Sequence, residues 1–110
     1  MKVIVCGGRN FDDKALLERA LGEIEITELI EGGAKGADRL AREWAKARGI
    51  PVRTFKADFR RYGRGGGPVR NRQMIDEGHP ELVVAFPGGS GTANMVSLAR
   101  AAGIPVRLVA

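Results

Sequence analysis

A chain of 110 residues, 44% hydrophobic and 28% charged, has the size and composition of one globular domain, which excludes both a second domain and an intrinsically disordered chain. Its net charge of +5 favours an anionic ligand or partner over a cationic one. The single cysteine, Cys6, excludes an internal disulfide, and no apolar run approaches the ~20 residues of a membrane span, so we expect a cytoplasmic protein without a membrane partner.

The first half of the chain alternates short apolar runs with helical patterns. Residues 2–6 predict a buried strand, and a helix capped by Asp12 or Asp13 is expected to run to about Gly22. Trp44 falls on the apolar stripe of the next helix, which predicts a core residue. The further elements predicted here are a strand at Thr27–Glu31, a helix from Ala37 to about Arg48 and a strand at Pro51–Phe55.

The middle of the chain interrupts this alternation. No periodicity is present from Ala57 to Gly67, which predicts a mobile basic loop that is longer than a simple connection needs. Pro68 then marks the start of a short helix from Val69 to about Glu77. The last predicted elements are a buried strand at Leu82–Phe86, a helix that follows the turn at 87–92 and ends near Gly103, and a strand at Pro105–Val109.

Five predicted strands thus alternate with four predicted helices. Right-handed crossovers convert this alternation into a single-domain, Rossmann-like α/β fold: a doubly wound three-layer sandwich around a parallel five-stranded sheet, most simply in the order 3-2-1-4-5. In that order the winding direction changes between strands one and four. The crevice at the carboxyl ends of these strands is therefore the expected ligand site.

Three glycine-rich turns follow strands one, two and four, and each turn leads into a helix. Helix N-termini and closely approaching glycine backbone favour phosphate or carboxylate binding. Glycine also suits tight strand-to-helix turns that bind nothing, but the coincidence of three such turns favours a ligand. The predicted ligand-binding residues are Gly7, Gly8, Arg9 and Asn10 in the first turn, Gly32, Gly33, Ala34, Lys35 and Gly36 in the second, and Pro87, Gly88, Gly89, Ser90, Gly91 and Thr92 in the third.

None of these turns is a standard nucleotide signature, because both GxxxxGK[ST] and a clean GxGxxG are absent. Glu31, at the end of strand two, is a candidate for binding a ribose hydroxyl. His79 has no partner at metal-ligand spacing and is expected at the surface. With no cluster of histidines or cysteines, the metal we consider is Mg²⁺ that accompanies the phosphates of a ligand.

The segments GGRNFDD, EGGAKGADRLAREWA, GPVRNRQMI and AFPGGSGTANMV, in this order, resemble the YspA-type branch of the SLOG superfamily over nearly the whole chain. PGGxGT after an apolar strand is the most specific element. It is shared with the LOG-type phosphoribohydrolases and is similar to the DprA/Smf proteins that bind single-stranded DNA. The resemblance implies a Rossmann-like fold and a nucleotide-derived ligand related to NAD or ADP-ribose.

The resemblance leaves enzymatic activity open. LOG-type hydrolases use an arginine and the glutamate of PGGxGTxxE; Arg70 matches the arginine, whereas Met95 occupies the glutamate position. A thioether can neither stabilise an oxocarbenium ion nor activate water. Asp38 is an alternative acid, although capping of its own helix is the simpler interpretation. Asn94 is a candidate for a ribose contact, and Asn71 for a place beside Arg70 in the site.

Besides a nucleotide-binding module and a hydrolase, a third hypothesis is the binding of single-stranded nucleic acid. The basic stretch at residues 53–72 would follow the backbone, and Tyr62 or Phe59 would stack a base. Aromatic residues make up 5% of the chain, which favours a nucleotide-like small molecule as the partner instead. We also expect a homo-oligomer. The basic residues are Arg53, Lys56, Arg60, Arg61, Arg64, Arg70 and Arg72.

Overall fold

The computed structural model describes residues 1–110 and is built around a five-stranded, all-parallel sheet. The strands are β1 (Lys2–Cys6), β2 (Glu28–Glu31), β3 (Val52–Thr54), β4 (Leu82–Ala85) and β5 (Val106–Leu108). Their order, β3-β2-β1-β4-β5, confirms the predicted Rossmann-like α/β topology. β1 and β4 consist almost entirely of β-branched and other apolar residues, as expected for strands that are covered on both faces.

Helices cover both faces of the sheet and complete the three layers. The helices are α1 (Lys14–Gly22), α2 (Ala37–Ala47), α3 (Phe59–Tyr62), α4 (Gly66–Gly78) and α5 (Ser90–Ala101), with a 3₁₀ turn at Gly63–Gly65. The core on one face contains residues of α1 and α2, and the core on the other contains residues of α4 and α5. None of the helices combines the length and the apolar composition that crossing a membrane requires.

The side chains of β1 alternate between these two cores. Val3 and Val5 contribute to the core under α1 and α2, together with Trp44 as predicted, while Ile4 and Cys6 contribute to the core under α4 and α5. The buried face of α1 consists of leucines at positions 17 and 21, whereas Ala15 is exposed. The long leucine side chains fill the space against the sheet better than alanine does.

The prediction of a mobile loop at residues 57–67 is wrong, because most of this segment is helical. Asp58 caps α3 by accepting a hydrogen bond from the Arg61 amide at 3.0 Å. α4 begins at Gly66, two residues before Pro68, where a proline is tolerated because its missing N–H has no intrahelical partner. Elements of three or four residues are too short to produce a periodicity that the sequence could reveal.

Candidate functional site

A cleft of about 630 Å³ lies at the carboxyl ends of β1, β2 and β4. Its volume falls in the range of roughly 300–1,000 Å³ that is typical of small-molecule sites. All three glycine-rich turns contribute to its wall, as does the first half of α4. The predicted site residues that line it are Gly7, Gly8, Arg9, Gly32, Gly33, Ala34, Lys35, Asp38, Arg70, Asn71, Gly89, Ser90, Gly91 and Thr92.

Several predicted site residues do not line this cleft, and six residues that line it are not among the predicted ligand-binding residues, although Lys56 and Phe59 were candidates for binding nucleic acid. The predicted residues outside the wall are Asn10, Gly36, Pro87, Gly88 and Asn94. The additional lining residues are Val5, Cys6, Lys56, Ala57, Phe59 and Met74. The segment after β3 could have been predicted, since its start lies at the same sheet edge as the three turns.

Backbone hydrogen bonds connect the three turns to one another. The Gly8 amide donates to the carbonyl of Pro87 at 2.8 Å, and the Ala37 amide donates to the carbonyl of Gly8 at 3.2 Å. Gly36 has a φ of +74°, and a Cβ at this position would collide with the Gly8 carbonyl, so only glycine is accommodated here. Gly36 and Pro87 therefore hold the turns together beneath the cleft.

The N-terminus of α5 opens into the cleft without a side-chain cap. Its N-cap residue is Gly89, and no side chain accepts a hydrogen bond from the first turn. By contrast, α1, which does not line the cleft, is capped by Asp13. The first amide groups of a helix have no intrahelical acceptor and carry partial positive charge, so this end of α5 can bind an anion, with the hydroxyls of Ser90 and Thr92 beside it.

The cleft wall is strongly cationic. Arg9, Lys35, Lys56 and Arg70 line it, and Asp38 is the one carboxylate among the lining residues. The two salt bridges of the protein, Arg39–Glu43 and Arg42–Glu31, involve none of these cations. Their charge is therefore available to attract an anionic ligand.

A chain of hydrogen bonds that starts at Arg70 crosses the cleft from the second turn to the third. Arg70 donates through Nη1 to the carbonyl of Gly32 and through Nε to Oδ1 of Asn71 at 3.0 Å. The Asn71 amide donates in turn to the carbonyl of Gly91 at 3.2 Å and to Oδ1 of Asn94 at 3.0 Å. Asn94 therefore supports Asn71 from outside the cleft wall.

Gly32 has no side chain where the Arg70 guanidinium lies. A Cβ at Gly32 would sit 2.6 Å from Nη1 of Arg70, so a larger residue would displace the arginine. Arg72, two residues further along α4, is exposed and does not line the cleft. Only one of the two arginines thus faces the site, as a separation of two residues on a helix predicts.

Asp38 does not cap its own helix, so the simpler of the two predicted interpretations is wrong. The side chain turns back and accepts hydrogen bonds at Oδ2 from the amides of Gly32 and Ala34, at 3.1 and 3.3 Å. Burial, with a smaller contribution from the charge of Glu31, raises the pKa of Asp38 to about 6, although the Ala34 amide and the Arg70 guanidinium act to lower it. Asp38 is thus a weakly acidic carboxyl on the wall of a cationic cleft.

Glu31 does not reach the cleft, and its predicted ribose contact is wrong. The side chain is fully buried. Oε1 accepts hydrogen bonds from the Gly33 amide at 2.7 Å and from Arg42 at 3.2 Å, and Oε2 accepts one from the Thr54 hydroxyl. Glu31 instead connects the second turn to β3 and α2 through these hydrogen bonds.

Two sulfur-containing side chains near the site are inert. Cys6 lines the cleft, but burial, reinforced by the charge of Asp38, raises the pKa of its thiol to about 12, so it stays protonated at neutral pH. Met95 is 1% exposed and packs in the core with Ile4 and Met74.

His79 is exposed, as predicted, and ends α4 in the left-handed conformation. No group of three or more His, Cys, Asp or Glu side chains is placed to hold a metal ion.

Comparison of the sequence with known proteins identifies a family and a relative. The sequence model of the family described as "YspA, cpYpsA-related SLOG family" matches residues 1–62. The matched segment ends with α3 and includes the turns after β1 and β2. The chain is also 32% identical to the Gene 61 protein of Mycobacterium phage D29, over an alignment that is 118 positions long with its gaps. The alignment covers 96% of this chain and 93% of the phage protein.

Proposed function

This chain belongs to the YspA, cpYpsA-related SLOG family, and from that premise we propose that its cleft binds a nucleotide-derived ligand of the NAD or ADP-ribose kind, as a binding or sensor module. The observation that carries the proposal is the convergence of the turns after β1, β2 and β4 on one cationic cleft. A phosphate-bearing molecule suits such a wall better than a neutral one does, because both backbone amides and side chains offer hydrogen-bond donors there.

The phosphates are assigned to the uncapped N-terminus of α5. The amides of its first turn and the hydroxyls of Ser90 and Thr92 are the donors. Arg9 and Lys35, both exposed at the same rim, neutralise the charge of the ligand. The ligand in effect caps the helix, which no side chain of the protein does.

A sugar hydroxyl is assigned to Asp38. Both intramolecular hydrogen bonds of this carboxylate end on Oδ2, so Oδ1 is the atom that can accept one from a ligand. The residue accepts hydrogen bonds from the second turn and lines the same cleft as the first turn of α5. A nucleotide carries both phosphate groups and ribose hydroxyls, so one molecule in the cleft can contact both places.

A thermal-shift screen of the purified protein tests the proposal. The probes are NAD, ADP-ribose, AMP, ATP, GTP and oligo-dT, each with and without Mg²⁺. A ligand at ~100 times its Kd stabilises the fold by about 2.7 kcal/mol, which is several degrees for a domain of this size. We expect a shift with NAD or ADP-ribose that shrinks as salt is raised. A shift with oligo-dT alone would contradict the proposal and favour a nucleic-acid binder.

Hydrolysis of the bound nucleotide is the second candidate function, and Asp38 is the observation that favours it. A buried carboxyl with a pKa of about 6 is suited to transfer protons near neutral pH. Mass analysis of each probe after the screen separates the two functions: an intact ligand supports the binding module. A cleaved ligand, with cleavage lost and binding kept in Asp38→Asn, would support the hydrolase. The buried Met95 does not supply the acid that LOG-type chemistry needs.

A further inference from the structure

Phe59 is an exposed aromatic side chain on the wall of the cleft. It is 61% exposed, and it is the one aromatic residue among those that line the cleft. Single exposed apolar residues are common and need no function. The position of this ring, at the mouth of a cationic cleft and beside Lys56, separates it from such cases.

The ring is supported from one side only. α3 begins at Phe59, directly after its cap residue Asp58. Gly66, at the start of α4, is buried, and a Cβ there would lie 3.0 Å from Cδ1 of Phe59. The absence of a side chain at Gly66 therefore lets the ring rest against the backbone of α4 while the rest of its surface stays open. The exposed surface of the ring is therefore free to receive a flat partner.

Topology places Phe59 on the side of the cleft where a base would extend. Phe59 follows β3, the edge strand, and β2 separates β3 from β1. A strand spacing of roughly 4.8 Å puts about 10 Å between β3 and β1. The phosphates are assigned to the N-terminus of α5, which follows β4, and a sugar hydroxyl to Asp38 at the start of α2, which follows β2. A ligand placed in this way extends along the sheet edge from β4 towards β3. The next position outward, over β3, is that of Phe59.

We infer that Phe59 stacks against the base of the nucleotide and that the ligand must therefore carry a base to bind at full affinity. The inference rests on the proposed function, since it assigns the contact for one further part of the same ligand. Stacking accepts any base because each has a π-face. Phe59 thus strengthens binding of the whole class of nucleotides over sugar phosphates without selecting one nucleotide.

Tyr62 provides a matched control on the same short helix. It is 40% exposed, but it does not line the cleft. The guanidinium of Arg61 lies 5.1 Å from the centre of its ring, so the ring already has a cationic partner. Removing either aromatic side chain changes α3 to a similar degree, but only Phe59 is placed to touch a ligand.

The test is calorimetric titration of wild type, Phe59→Ala, Phe59→Trp and Tyr62→Ala with ADP-ribose and with ribose 5-phosphate, which has no base. We expect Phe59→Ala to weaken ADP-ribose binding about 5- to 150-fold, the equivalent of roughly 1–3 kcal/mol of stacking. The same variant should bind ribose 5-phosphate within about twofold of wild type. Phe59→Trp should retain ADP-ribose affinity, and Tyr62→Ala should match wild type.

The outcomes that overturn the inference are distinct from failure of the proposed function. If wild type binds ADP-ribose and Phe59→Ala binds it equally well, the stacking contact is wrong while the nucleotide site stands. If Phe59→Ala loses both ligands to the same extent, Phe59 has a purely structural role and the inference is again wrong. If wild type binds neither probe, the proposed function is overturned and the stacking inference with it.

Discussion

Gly91→Asp is expected to weaken ADP-ribose binding at least a hundredfold. Gly91 lies in the first turn of α5 on the cleft wall, and nothing lies within 4 Å of the point where its Cβ would be. A carboxylate there would compete for the amides that are assigned to the phosphate. Two like charges ~4 Å apart near a protein surface repel by about 4 kcal/mol, which approaches a thousandfold in affinity.

The same substitution should make the free protein more stable. Aspartate is a better helix former than glycine by about 0.3 kcal/mol, and a negative charge near a helix N-terminus adds a further ~0.3–1 kcal/mol. The melting temperature should therefore rise by several degrees. Lower affinity together with higher stability is a combination that damage to the fold cannot produce.

Gly91→Asn is the matched control, since it has nearly the same shape as the aspartate without its charge. Binding of ADP-ribose by Gly91→Asn should stay much closer to wild type, and its stability should rise by the glycine contribution alone. Titration calorimetry gives the affinities and thermal unfolding gives the stabilities. Equal affinities for Gly91→Asp and Gly91→Asn would show that no anion binds at this end of α5.

Asp38→Asn is expected to stabilise the protein by about 3 kcal/mol at pH 7 and by almost nothing at pH 3. The pKa of Asp38 rises from 3.8 to about 6 in the folded state, so between these values the folded protein holds a proton that the unfolded chain has released. Wild-type stability must then fall as the pH rises through this window, by about 1.4 kcal/mol for each pH unit. Asparagine does not ionise, and its Oδ1 can accept hydrogen bonds from the amides of Gly32 and Ala34.

Urea unfolding of wild type and Asp38→Asn between pH 3 and pH 8 measures this difference. The two free energies of unfolding should nearly coincide at pH 3, separate as the pH rises from about 4 to 6, and keep a constant gap above pH 7. The points at pH 3 are the internal control, because the carboxyl is mostly protonated there in both states. A gap that is independent of pH, or a less stable Asp38→Asn at pH 7, would refute the raised pKa. A stability cost at a cleft carboxylate is what a binding site predicts, since function and stability compete there.

Sequence patterns predicted the sheet and most of the cleft wall for a clear physical reason. Buried parallel strands must be apolar, and β1 (Lys2–Cys6) and β4 (Leu82–Ala85) are such runs between turn residues. Right-handed crossovers then leave few strand orders to choose from. Because the carboxyl ends of parallel strands share one edge, the sequence predicts that the three glycine-rich turns lie together.

What the sequence could not predict depends on side chains that reach between elements. Glu31 and Asp38 are both acids close to a glycine turn, yet one is buried against Thr54 and the other faces the cleft. Asn94 lies one turn inside α5 and contacts Asn71 of α4, a pairing that only the packing of these two helices determines. The sequence predicts a mobile loop at Phe59, but the residue begins α3. This single turn is too short to show a periodicity, and it is stabilised by its cap and by α4.

An NMR titration of nitrogen-15-labelled protein with ADP-ribose tests most directly whether the ligand lies on the glycine-rich turns. We expect the largest shifts at the amides of residues 7–9, 33–35 and 89–92, with smaller shifts near Phe59. A second groove, between α5 and β5, shares Gly89 and Thr92 with the cleft, whereas Val96, Arg100 and Leu108 line this groove alone. The largest shifts at these last three residues, or none at millimolar ADP-ribose, would contradict the account.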